Sequence, residues 1–95
     1  MSPADQALTA RTARRLLAVA YATHDNRFTT ECVKDWLTAQ GVGEKDQSRR
    51  RAIVSAAITQ GRTAHLWRRA VDDHERPVYV TGQDGGPCAL WEVIA

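Results

Sequence analysis

The chain has 95 residues, 43% of them hydrophobic and 25% charged, with a net charge of +2. That length holds one hydrophobic core and leaves no room for a second domain, and the composition excludes a disordered or fibrous chain. No run approaches the roughly 18 apolar residues that span a bilayer, and the opening Met-Ser-Pro-Ala-Asp-Gln lacks the basic flank and apolar stretch of a signal peptide, so one domain over 1–95 in the cytoplasm is expected.

Charge is unevenly distributed. Residues 1–71 carry twelve Lys or Arg against six Asp or Glu, and residues 72–95 carry Arg76 against five acids. Eleven of the thirteen basic residues are Arg, the side chain whose planar fork suits phosphate and guanine edges; GC-rich codon usage also enriches Arg and Ala. Cys32 and Cys88 are expected to stay reduced and packed as small hydrophobes, since two cysteines without a histidine at ligand spacing make no zinc site.

The first helix is predicted over 4–23. After Pro3 the segment is free of Gly and Pro, and Ala13, Leu16, Leu17, Ala20 and Tyr21 recur at helical spacing. Pro3 suits the first turn, Asp5 complements the helix dipole, and His24-Asp25-Asn26 provides a stop. Arg11, Arg14 and Arg15 fall on its solvated faces.

A second helix is predicted over 30–40. Thr29 is placed to cap it, Phe28 to pack against Val33 as a hydrophobic staple, and Gly41 to end it in the left-handed conformation. Val33, Trp36 and Leu37 form its buried face. The third helix is predicted over 46–60, with Asp46 as cap and Gly61 as a second C-terminal glycine. Ile53, Val54, Ala57 and Ile58 share one side of it, and Ser48, Arg51, Ala52, Ser55, Thr59 and Arg62 the other. That outward stripe is small, polar and basic, a surface that fits flush into a DNA major groove while Gln47 and Arg51 reach base edges or phosphates.

The period then changes. Strands are predicted over 64–71, 77–81 and 88–94 as a three-strand meander, separated by the turn-rich Asp72-Asp73-His74-Glu75-Arg76 and by Gly82-Gln83-Asp84-Gly85-Gly86-Pro87. Adjacent Leu90 and Trp91 must point to opposite faces of the sheet.

Three helices, a short extended link at 27–29 and three strands resemble the winged-helix variant of the helix-turn-helix, an α+β fold. From Phe28 to Gly61, and again in Gly-Gly-Pro-Cys-Ala-Leu-Trp, the chain is similar to small winged-helix domains of actinobacterial and phage proteins. The resemblance implies a small regulator or phage accessory protein that binds specific sequences of double-stranded DNA with its third helix in the major groove. It points to Gln47, Ser48, Arg51 and Ser55 as base-facing residues, and to Arg49, Arg62, Thr29 and Thr30 as phosphate contacts. The wing fits less well, because Asp72, Asp73, Glu75 and Asp84 repel phosphates; Arg68 and Arg69 would carry what the wing contributes.

The alternative is a protein-interaction module whose contact patch comprises Trp67, Trp91, Asp72 and Asp73. A single small module on DNA also suggests a homodimer on two half-sites. No enzyme, metal or cofactor is expected: His24, His65 and His74 fall at a helix end, a strand start and a loop, and no nucleotide-binding, nucleophile-elbow or zinc-protease motif is present.

Overall fold

Proline lacks an N–H and fixes its own φ, so it fits a helix's first turn. In the computed structural model, which describes residues 1–23 and 25–94, Pro3 opens α1 (Pro3–Tyr21), and the Ser2 hydroxyl accepts the Asp5 N–H at 3.2 Å as its cap. Leu8, Ala13, Leu16 and Ala20 make its buried stripe. Thr9 and Thr12 join that stripe because their hydroxyls donate to the Asp5 and Leu8 carbonyls, each at 2.7 Å, which satisfies them without water. The helix ends two residues before the expected Thr23; Asn26, at φ 54°, takes the left-handed turn into the next segment. His24 lies outside the described residues.

The link at 27–29 contains a strand, β1 (Arg27–Phe28), which the sequence reading missed. The second helix also departs from expectation. Its first turn is a 3-10 turn, Thr30–Val33, and the α-helix proper, α2, covers only Lys34–Ala39. Thr29 makes no side-chain cap; instead its backbone carbonyl accepts the Cys32 N–H at 3.3 Å, the tighter bond of a 3-10 turn. Phe28 and Val33 share one core, in keeping with the staple expected of them. Gly41 behaves as expected: at φ 90° it donates to the Thr38 carbonyl while Val42 donates to that of Leu37, which brings buried Val42 back onto the core.

Helix α3 (Gln47–Thr63) starts on the Asp46 side chain, which accepts the Arg49 N–H. It does not stop at Gly61. The left-handed position falls to His65, at φ 57°, with His65 N–H on the Arg62 carbonyl and Leu66 N–H on that of Gly61. Gly61 is needed elsewhere, as the bare surface on which Trp67 lies. The strand expected from residue 64 therefore begins only at β2 (Trp67–Arg69).

The sheet is not a meander of successive strands. β3 (Tyr79–Thr81) and β4 (Pro87–Ala89) form a separate two-stranded ribbon, and β5 (Trp91–Val93) lies antiparallel between β1 and β2. The expected single strand over 88–94 is thus two strands joined at Leu90. Ribbon and sheet meet in a ring of backbone hydrogen bonds: Ala70 N–H to the Leu90 carbonyl (2.9 Å), Leu90 N–H to that of Val78 (3.3 Å), and Val78 N–H to that of Ala70 (2.9 Å).

Side-chain alternation along the strands explains the core. Trp67, Phe28, Trp91 and Val93 are buried against the helices, and the Phe28 ring meets Trp67 edge-on at 5.2 Å between centroids. On the alternate face Glu92 lies opposite both Arg27 and Arg68 in register and pairs with each, at 3.5 and 2.9 Å. α1 packs along α3, with Leu16, Ile53 and Ala57 fully buried. The result is an α+β domain of three helices and a small antiparallel sheet. Among the described residues no helix is long and apolar enough to cross a membrane.

Candidate functional site

Consecutive positions on an α-helix cannot share a face at 3.6 residues per turn, and Arg49, Arg50 and Arg51 accordingly have three different environments. Arg49 reaches α1, where Nη2 and Nε donate to Asp5 Oδ1 at 2.7 and 3.0 Å. The Arg49 fork holds the Asp5 carboxyl below the ordinary carboxylate range. Arg50 is buried, and its Nη2 donates to the Lys34 carbonyl and the Thr38 hydroxyl, both at 2.6 Å, which ties α3 to α2. Arg51 is exposed and has no carboxylate partner among the described residues.

Arg51 borders a groove of about 610 Å³ that runs beside α3. Gln47, Arg51, Ser55, Thr59 and Arg62 line it from α3, Thr30, Glu31 and Lys34 from the 3-10 turn and α2, and Arg69, Ala89 and Trp91 from the strands. Leu37, Val54 and Ile58 add apolar surface. Five cations, Lys34, Arg50, Arg51, Arg62 and Arg69, face one acid, Glu31, whose carboxylate accepts the Gln83 backbone N–H at 2.9 Å. The groove is thus positive and partly apolar, suited to an anion presented on a shaped surface.

Of the residues singled out from the sequence, Thr30, Gln47, Arg51, Ser55, Arg62 and Arg69 come together in this groove. Ser48 is exposed on α3 just outside its lining, and Thr29 stands before it in the chain, half-buried. Arg49 and Arg68 are absent from the lining, and both are neutralised by the chain's own acids, Asp5 and Glu92. Strand alternation separates Arg68 from Arg69: Arg68 stands beside Glu92, and Arg69 lies opposite Trp91 in register.

Arg69 sits between two aromatic rings, its guanidinium carbon 5.1 Å from the Tyr79 centroid and 5.4 Å from that of Trp91. Arg62 lies over the same Trp91 ring at 5.6 Å. Lys34 and Trp91 are contributors that the sequence reading did not place here, because neither carries a local signal of what it faces across the fold.

The residues named for a protein contact are differently disposed. Trp67 is 1% exposed and Trp91 7%, so neither ring presents a face to a partner. Asp72 shapes its own turn, accepting the His74 and Arg76 N–H groups at 2.8 and 3.0 Å. Asp73 is exposed. Among the described residues no cluster of three or more His, Cys, Asp or Glu could hold a metal ion.

No protein-family model matches this chain, and no curated protein or solved structure matches it either. The functional reading therefore rests on the groove itself.

Proposed function

We propose that this chain is a small winged-helix domain that binds double-stranded DNA, with the outward face of α3 in the major groove and the β3–β4 ribbon as its wing. The observation that carries the reading is the partition of the arginines. Among the described residues Arg27, Arg49, Arg68 and Arg76 pair with the chain's own carboxylates, whereas Arg51, Arg62 and Arg69 have none and lie along a single groove, apart from Arg11, Arg14 and Arg15, which are likewise unpaired on α1. Uncompensated cations on one face supply the electrostatic attraction that dominates affinity for a polyanion. Between them Gln47, Ser48, Ser55 and Thr59 are polar and exposed, small enough apart from Gln47 for a helix backbone to approach base edges. The order β1–β5–β2 beside three helices is compatible with the winged-helix arrangement, and the domain contacts DNA as a regulator of transcription or a phage accessory protein would.

Selection of bound sequences from a random duplex library tests this directly. A consensus should emerge, and affinity for it should fall steeply with added salt as bound counterions are released. A library that returns no consensus, with retention insensitive to salt, would refute the reading.

A further inference from the structure

Two of the uncompensated arginines share an aromatic support, and this sets them apart from Arg51. Arg62 lies in the last turn of α3 and Arg69 ends β2, yet both guanidiniums lie over the indole of Trp91, and Arg69 also lies over the Tyr79 ring. Holding two like charges beside one ring is unfavourable unless an anion joins them, and the nearby acids are committed: Glu92 to Arg27 and Arg68, Glu31 to the Gln83 N–H. Among the described residues Nε and Nη2 of Arg69 have no hydrogen-bond partner, and both atoms are buried, as is the likewise unpartnered Nε of Arg50. Stacking fixes a guanidinium in advance, which lowers the entropy lost on binding.

We propose that Arg62 and Arg69 together grip the phosphodiester backbone of one DNA strand at neighbouring phosphates, with Trp91 and Tyr79 as positioning residues for that grip. The proposal rests on the DNA-binding reading and adds a division of labour to it. Arg51 and its neighbours on α3 read bases, and the aromatic-held pair anchors the strand without regard to sequence. A backbone strand suits the pair better than a lone carboxylate does, since it offers successive anions along one line and the two arginines approach the groove from different elements.

The test uses the full chain and a duplex obtained by selection, together with a scrambled duplex of the same length. Arg62→Gln and Arg69→Gln should each weaken binding to both duplexes by about tenfold, and each should reduce the slope of log affinity against log salt by about 1. Tyr79→Ala, at a residue 57% exposed and so harmless to folding, should weaken binding in the same sequence-independent manner. Methylphosphonate substitution that neutralises one phosphate at a time should locate a position where the parent loses affinity and the double variant loses no more.

Unchanged salt slopes in the double variant, or a changed consensus with affinity for scrambled duplex retained, would overturn the proposal. So would loss of retention on polyglutamate while duplex binding persists, which would assign the pair to an acidic protein. If the parent binds its selected duplex and Arg51→Ala weakens it but the double variant does not, the grip fails and the DNA reading stands. A parent that binds no duplex refutes both.

Discussion

Trp67 lies flat against α3 at Gly61, where a Cβ would overlap the indole carbons Cζ2, Cε2 and Cη2. Its ring nitrogen donates to the Ile58 carbonyl at 3.1 Å, one turn before that contact. The glycine thus serves the packing of a tryptophan six residues later and not the end of its own helix.

Gly61→Ala should therefore invert the usual rule. An alanine in a helix interior ordinarily stabilises by about 1 kcal/mol relative to glycine. Here the added methyl must displace Trp67 from the core, and overpacking of that kind costs about 1–3 kcal/mol. Urea unfolding should show a net loss of stability, relieved when Trp67 is also replaced by Leu; a variant more stable than the parent would mean that the indole moves aside freely.

The arginine triplet offers a sharper separation of roles. Arg50→Ala should destabilise the fold by about 1.5–3 kcal/mol, because it removes the charged hydrogen bonds to the Lys34 carbonyl and the Thr38 hydroxyl that tie α3 to α2. Arg51→Ala should change stability by less than about 0.5 kcal/mol, as exposed positions do, and should weaken binding to a selected duplex by about 1–3 kcal/mol while blurring base preference. Paired unfolding and mobility-shift measurements check both; equal behaviour of the two variants in either assay would contradict the environments described.

These contrasts show what a reader of the sequence can and cannot see. Ala13, Leu16 and Ala20 of α1, the start of α3 at Asp46 and the Gly41 cap lie where local patterns place them, whereas Tyr21, expected on the same α1 stripe, is 64% exposed. Gly61 was open to two uses of the same residue type, and the choice depends on Trp67 packing back onto the helix. β1 is two residues long, too short for alternation to register, and its pairing sets Arg27 opposite Glu92 and Phe28 opposite Trp91, residues far apart in the sequence. In the groove, Arg51, Ser55 and Arg62 were legible from helical period alone. Lys34, the stacking on Trp91 and the neutralisation of Arg49 by Asp5 were not, since each depends on elements distant in sequence.

The Asp5–Arg49 pair makes stability depend on pH in a known direction. The hydrogen bond from Arg49, and after it the guanidinium's charge, lower the Asp5 pKa against an opposing effect of burial. A carboxyl whose native pKa lies below its unfolded one contributes stability above the unfolded value, and the contribution disappears as pH falls through the native value. Asp5→Asn should thus be less stable than the parent at neutral pH, and the two should converge in acid below the ordinary carboxylate range of about 3.9. The difference should also shrink in high salt, because the pair is partly solvated. Urea unfolding along a pH series checks this; a gap that persists unchanged in acid would place the contribution in packing and not in charge.

Cys32 gives the last expectation, from burial alone. The thiol sits in the 3-10 turn before α2, half-buried, and burial pushes its pKa up to about 11. The thiolate is the reactive form, and an unperturbed cysteine ionises near 8.5. At neutral pH the reactive fraction of Cys32 is therefore lower by about two orders of magnitude than that of a free thiol. In a Cys88→Ser variant, iodoacetamide should alkylate the folded protein at least that much more slowly than it alkylates free cysteine, and urea should restore the ordinary rate. A fast reaction in the folded state would require the 3-10 turn to open readily, and with it the Glu31–Gln83 contact that joins this turn to the ribbon loop.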